Sequence, residues 1–422
     1  MKKLIYLLAF TLFCSTTISA QELKVGAALR VITPDPLIPV SGGVGTPSPA
    51  TEKKGDLFVR AMVMEQNGVK VAIVGIDNLG WPAVLGDQSR ALIKGIPPEN
   101  ILIGATHTHS APDAYGFPNE KGEVLADFHY LEWCVKQVAD AVNEALENME
   151  PAALKIAVGE AKGKIAYNYY APDLYDPRCG VIQAFGTTGK NKDKAIATLV
   201  NYAIHPEVIG NKKGILSPDL CGPLYDRIEA KAGGIAIFMN GAQGGMVTAD
   251  NRRPEGKEAG DWEECIRIGE LLADQALSIV DKAPLQTAPV LFSSSKEINL
   301  PVTSPLMKML IDHSEIGLKV SEDYMLKTSV NLLNIGSAQI LTIPGEALPN
   351  IGYYLKRKMN TAHPFLFGLT NDAFGYMLTK VDYNSFERYE YISKTSLGEE
   401  TAEVYIEEAL NLIEASPAAE KH

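Results

Sequence analysis

The sequence is poor in cysteine. Five occur in 422 residues, and Cys14 falls within the first twenty. The other four, Cys134, Cys179, Cys221 and Cys265, show no CxxC spacing, so neither a zinc ribbon nor a thioredoxin-like redox motif is supported. Four cysteines permit three pairings, and free buried thiols suit a chain of this size equally well. Long basic runs are also missing. The net charge is −12, with 39 Lys and Arg against 51 Asp and Glu, so nucleic acid is not an expected partner. No apolar run reaches the ~20 residues that a transmembrane helix needs. There is no internal repeat, no low-complexity block and no Pro/Gly/Ser-rich linker. These absences argue for one large domain.

What is present is an ordinary globular balance: 46% hydrophobic, 21% charged and 8% aromatic residues, enough to bury a sizeable core. Met1-Lys2-Lys3 is a short basic start, residues 4–13 are largely apolar, and residues 15–20 are small and mostly polar. This is the layout of a secretory signal, with cleavage expected after Ala20. The expected organisation is a signal peptide over 1–20, a domain over 21–415 and a mobile polar tail over 416–422. The expected location is secreted or periplasmic.

Strand and helix patterns alternate. Residues 57–64 and 71–76 read as a hairpin around Gln66-Asn67-Gly68. Further strands are expected over 100–105, 195–203, 234–239, 338–343 and 365–369. Helices are expected over 83–94, 124–149, 219–231, 262–282, 346–359 and 399–414. The fold class is α/β, with a mixed β-sheet core flanked by helices.

Polar chemistry collects where apolar strands end, which is where α/β proteins form ligand sites. One strand runs into His107-Thr108-His109-Ser110, and another into His205-Pro206. Others run into Asn240-Gly241-Ala242-Gln243-Gly244-Gly245, Pro344-Gly345-Glu346 and Thr370-Asn371-Asp372. On extended backbone His107 and His109 face one side. Two or three histidines with Glu346 make a nitrogen/oxygen donor set suited to zinc. Each feature also has a plainer reading. Strand-end histidines often only bond backbone, and Glu346 would sit at a helix start and answer its dipole. Tyr376 would be packing, and Asn240 to Gly245 a tight turn. His129, His313, His363 and His422 read as surface or packing residues.

The same segments resemble the neutral ceramidase family, secreted zinc amidases that split ceramide into sphingosine and a fatty acid. The resemblance begins at Val25-Gly26 and Thr33-Pro34. It continues through Gly55-Asp56-Leu57-Phe58-Val59-Arg60-Ala61 and Val74-Gly75-Ile76-Asp77. Gly104-Ala105-Thr106-His107-Thr108-His109-Ser110-Ala111-Pro112 resembles the most specific family signature. Asn201-Tyr202-Ala203-Ile204-His205-Pro206, Ile343-Pro344-Gly345-Glu346 and Gly368-Leu369-Thr370-Asn371 are similar to later motifs, followed by Gly375-Tyr376 and Glu387-Arg388-Tyr389-Glu390. The resemblance implies that His107, His205, Glu346 and Tyr376 bind Zn2+, Tyr376 through its phenolate. It implies that His109 faces the substrate, to stabilise an oxyanion or move a proton. Zinc would polarise the amide carbonyl and supply hydroxide at neutral pH.

The chain departs from the family pattern in two places. Where the family has Gly-Asp-x-Ser-Pro with an active-site serine, this sequence reads Gly244-Gly245-Met246-Val247-Thr248. Gly245 takes the aspartate position and Val247 the serine position. Thr248 would supply a catalytic hydroxyl if the loop shifts by one residue. The chain also stops soon after the tyrosine segment, so the catalytic domain is expected without the family's following β-sandwich.

The leading expectation is a zinc-dependent amidohydrolase of a lipid-like N-acyl substrate, ceramide or a related sphingolipid, with transient contact to a membrane surface. The alternatives are a zinc hydrolase of another acyl substrate, such as an acylated sugar, or a non-catalytic lipid- or glycan-binding protein.

Overall fold

Two β-sheets face each other, and helices cover the outer side of each. The architecture comes from a computed structural model that describes residues 22–318 and 320–421. The expected signal peptide, residues 1–20, lies outside the described residues.

The larger sheet has nine strands. Eight run in the order Ile235–Asn240, Ala195–Tyr202, Arg178–Gly186, Glu150–Glu160, Lys24–Val31, Phe58–Gln66, Val69–Ile76 and Ile101–Ala105, and Leu285–Gln286 adds to Glu150–Glu160. Most neighbours are antiparallel, but the outermost pair at each end is parallel. Parallel neighbours need a crossover, and helices Ala83–Leu92 and Cys221–Ala232 provide the two. The expected hairpin forms with Asn67 at φ 50° and Gly68 at φ 81°, the left-handed pair that an Asn-Gly turn supplies.

The sheet rolls until its two ends approach. A Cβ at Gly75 would lie 2.9 Å from the Phe238 carbonyl oxygen, so only glycine allows this contact. Rolling brings the strand before His107 close to the strands around His205, although they are far apart in sheet order.

The second sheet runs Leu291–Pro301, Met325–Ile335, Ala338–Thr342 and His363–Phe367, the last two parallel. Its inner face packs Ile340, Phe365 and Phe367 against Ile182, Leu199 and Ile237 of the large sheet. Helix Phe128–Glu147 covers one part of the large sheet, and Cys221–Ala232 with Trp262–Asp281 covers another. Asp127 and Asp261 cap the two long helices by accepting from the backbone N–H of Tyr130 and Glu264. Helices Pro305–His313, Pro349–Lys358 and Thr401–Ala415 cover the second sheet. The expected fold class is therefore observed, with the strands divided between two sheets.

Several expectations change. The helix expected from residue 124 begins at Phe128, behind its Asp127 cap. The helix expected from 346 begins at Pro349, and Glu346 is in a short strand instead. Beyond the last helix, residues 417–420 fold back onto the second sheet. The Asn334 side-chain amide donates to the Pro417 carbonyl at 2.8 Å, and the Glu420 backbone N–H donates to the Gly336 carbonyl at 3.0 Å. Polar composition hid this main-chain bonding. Cys134, Cys179, Cys221 and Cys265 are free and buried, which settles the open pairing question. Among the described residues, no helix is long and apolar enough to cross a membrane.

Candidate metal centre and active site

Asn240, the last residue of an apolar strand, clamps the two histidine-bearing segments together. Its side-chain amide donates to the Thr106 carbonyl at 3.0 Å and to the Ile204 carbonyl at 2.7 Å. Those are the residues just before His107 and His205. Its side-chain oxygen accepts from the backbone of Ile204 and Gly241. Asn240 is fully buried, so each of these bonds replaces one that water would otherwise make.

His107 stands in the left-handed region at φ 72°, uncommon for a residue with a side chain. It therefore does not share an extended backbone with His109, as simple alternation had it. The two rings still meet, edge to face, with centroids 4.9 Å apart. His205 joins them, its ring centroid 4.7 Å from that of His107 and 5.7 Å from that of His109.

Two of the rings are oriented from behind by main-chain carbonyls. His107 Nδ1 bonds the Leu79 carbonyl at 2.6 Å, and His205 Nδ1 bonds the Val247 carbonyl at 2.8 Å. A carbonyl only accepts, so both Nδ1 atoms carry a proton and both Nε2 atoms face inward, each with a lone pair to offer a metal only in the neutral ring. They converge on one atom: Glu346 Oε2 lies 3.4 Å from His107 Nε2 and 3.1 Å from His205 Nε2. His109 Nε2 is buried and has no hydrogen-bond partner. One ring nitrogen from each of the three histidines lies within 4.8 Å of the others. Buried nitrogen and carboxylate donors that converge in this way fit a zinc-like divalent ion.

Glu346 lies just beyond the second sheet's strand Ala338–Thr342, in a separate two-stranded ladder. Strand Glu346–Ala347 pairs in parallel with Tyr376–Met377, which sets Glu346 beside Tyr376. The Glu346 N–H donates to the Gly375 carbonyl at 2.9 Å, and the Gly244 N–H donates to the Ala347 carbonyl at 2.9 Å. A Cβ at Gly244 would lie 2.2 Å from the Glu346 carbonyl oxygen, so this position admits only glycine. The segment from Asn240 to Gly245 is thus the joint between the sheets, beyond the plain turn its composition suggested. The Tyr376 hydroxyl donates to Met246 Sδ at 3.6 Å.

Charge in the group is strongly coupled. Burial opposes the cationic form of His205, but the Glu346 hydrogen bond and the charges of Glu207 and Glu346 outweigh it and hold the imidazole up at about 9. Burial would raise Glu346, yet His107 and His205 hold it well below the usual carboxylate range. Burial pushes His109 down to about 4, against the pull of Glu207. Burial also pushes the Tyr376 phenol well above its ordinary value. Metal binding and protonation therefore compete for the same atoms.

A cavity of ≈ 80 Å³ opens over the group, lined by His107, His109, Glu346, Tyr376, Tyr115 and Phe117, among others. Val44 and Tyr391, 48% and 52% exposed, sit at its edge. Of the residues expected at the site, His107, His109, Glu346 and Tyr376 line this cavity, and His205 stands behind them against Glu346. Thr248 does not line it. It lies on strand Val247–Ala249, bridges to His205, and its side chain faces Glu207. Val247, at the family's serine position, is buried in the core cluster and acts through its carbonyl. Sequence reading missed Asn240 as the clamp and Glu207 behind His109, with Glu207 Oε2 3.7 Å from His109 Nδ1. Both carried a faint signal: a polar residue closing an apolar strand, and an acid two places after a strand-ending histidine.

No family model matches the sequence, and no curated protein matches it. Solved structures do match. The neutral ceramidase from Pseudomonas aeruginosa superposes with a TM-score of 0.73 at 16% identity, over 95% of this chain and 76% of that one. A ceramidase structure complexed with C2 gives a TM-score of 0.74 at 17% identity, over 95% of this chain and 77% of that one. The fold of this chain is that of the neutral ceramidase structures.

Proposed function

We propose that the protein is a zinc-dependent amidohydrolase that cleaves an N-acyl amide, with ceramide or a related sphingolipid as its substrate. The observation that carries this reading is the convergence of His107 Nε2 and His205 Nε2 on Glu346 Oε2, buried beneath a cavity, in a fold shared with ceramidase structures.

His107, His205 and Glu346 would hold the ion, with Tyr376 as the fourth ligand. A bound ion of this kind polarises an amide carbonyl and makes water a better nucleophile at neutral pH. The rest falls to the chain. The Leu79 and Val247 carbonyls keep both ligating rings in the tautomer that leaves Nε2 free. His109 lines the cavity with an unpartnered Nε2, placed to accept or donate a proton at the scissile bond. Thr248 acts from behind, through Glu207. Exposed Val44 and Tyr391 give an acyl chain an apolar approach and a point of transient membrane contact. The basic start and apolar run of residues 1–20 support export to the periplasm or beyond.

The cavity's size favours a second reading of the substrate. An apolar cavity of about 150 Å³ holds one benzene. At ≈ 80 Å³ this one encloses a short acyl group more readily than a long chain. An acylated sugar or another short-chain amide fits that volume.

The test is fatty-acid release by the purified mature chain from N-acyl substrates of graded length, beside a chelator-treated sample with zinc add-back. Chelator-sensitive release from long-chain ceramide supports the first substrate. Preference for acetyl supports the second. A zinc-loaded protein that hydrolyses none of them contradicts the enzyme reading.

A further inference from the structure

The three histidines differ in what stands behind them. His107 and His205 are backed by main-chain carbonyls, and only His109 is backed by a carboxylate. Glu207 Oε2 lies 3.7 Å from His109 Nδ1. That separation is somewhat longer than a hydrogen bond, and such catalytic contacts often tighten only when substrate binds. The backbone keeps the two residues in register. The His109 N–H donates to the Pro206 carbonyl at 3.1 Å, and the Glu207 N–H donates to the His205 carbonyl at 3.0 Å. On its other side, His109 Nε2 is buried with no hydrogen-bond partner, and His109 lines the cavity.

We infer that Glu207 is a positioning residue for the hydrolysis, and that it fixes His109 so that the Nε2 lone pair faces the scissile amide. The inference rests on the amidohydrolase reading above. An ionised carboxylate can only accept, so the proton sits on Nδ1 and Nε2 is left as the base. The attacking water gives its oxygen to the carbonyl carbon and one proton to Nε2. The same proton passes to the leaving nitrogen as the C–N bond breaks. The products are the carboxylic acid and the amine, and His109 returns to its starting tautomer. A carboxylate that holds the base's tautomer and steadies its cationic form has the same task in Ser-His-Asp hydrolases.

The test compares Glu207→Gln, Glu207→Ala and Glu207→Asp in the zinc-loaded protein. Gln keeps the size of Glu and an acceptor for Thr248, but its amide can donate to Nδ1 and turn the proton to Nε2. The expected result is a kcat about 100-fold lower for Gln and for Ala, with KM little changed and partial recovery in Asp. Bound zinc stays at the wild-type level in all three, and also in His109→Ala. A Gln variant with wild-type kcat overturns the inference, because packing alone would be preserved. Loss of zinc from His109→Ala overturns it as well, because His109 would then be a ligand. Nitrogen-15 NMR of the His109 side chain gives a readout free of turnover. The Nδ1–H tautomer is expected in the wild type and the Nε2–H tautomer in Glu207→Gln. An Nε2–H wild type sinks the inference even if no substrate is ever turned over. A correct tautomer with no hydrolysis overturns only the functional reading on which the proton transfer rests.

Discussion

The two sheets serve the centre in different ways. The large sheet presents histidines, and it holds them with hydrogen bonds from side chains to main-chain carbonyls: Asn240 clamps the strand ends, and Leu79 and Val247 orient the rings. On the second sheet's side, the separate two-stranded ladder of Glu346–Ala347 and Tyr376–Met377 presents Glu346 and Tyr376, and Glu346 is held by main-chain register and glycine contacts: Gly375 accepts from Glu346, and Gly244 packs onto it. The histidine side is thus sensitive to loss of a polar group. The carboxylate side is sensitive to gain of a carbon atom.

The largest effect is expected where either sheet loses its ligand. His205→Ala and Glu346→Ala should each lose bound metal and lower hydrolysis by roughly 10³-fold or more, read by metal analysis and fatty-acid release. Retained turnover in either variant would mean that one sheet suffices.

The two modes of support come next. Gly244→Ala drives a methyl into the Glu346 carbonyl and should destabilise the protein by about 3 kcal/mol, seen as a lower denaturation midpoint. Asn240→Ala leaves the Thr106 and Ile204 carbonyls without their donor and should cost about 2 kcal/mol. An unchanged midpoint for Asn240→Ala would remove the clamp from the account.

Proton linkage is a finer probe of the contact between the sheets. With metal removed, His205 is raised from its ordinary value to about 9 by its partners Glu346 and Glu207. A raised histidine stabilises the fold fully below its unfolded pKa of about 6.5, and that stability fades as pH rises through the folded value. The thermal midpoint of chelated protein should therefore fall between pH 6.5 and 9. Zinc affinity should climb over the same interval, because the metal needs the deprotonated ring. A flat midpoint across that window in chelated protein would show that His205 and Glu346 are not paired.

The smallest effect separates a side chain from its backbone. Val247→Ala removes buried methyl groups and should cost about 1–2 kcal/mol. It leaves the carbonyl that orients His205, so kcat and metal content should stay at wild-type values.

Much of this centre was legible in the sequence. His107, His205 and Glu346 each follow a run of apolar residues that could only be a buried strand, and a polar group at such an end must be bonded or functional. The Asn67-Gly68 hairpin was equally plain. The rest depended on relations that side-chain type does not encode. Nothing in the periodicity says that the strands split into two facing sheets, or that the large one rolls until its ends meet. Glu346 looked like a helix start because Pro349 and the residues after it are helical, yet its own backbone pairs with Tyr376. Val247 looked like a lost serine because the role its position plays here belongs to a carbonyl, which every residue has.

The most direct test of the central claim is zinc titration of the chelated wild type beside Glu346→Ala. If both sheets hold a single ion, the wild type binds one zinc tightly and Glu346→Ala loses most of that affinity. If Glu346→Ala binds zinc as tightly as the wild type, His107, His109 and His205 hold the ion alone, and the joint between the sheets has no part in the metal site.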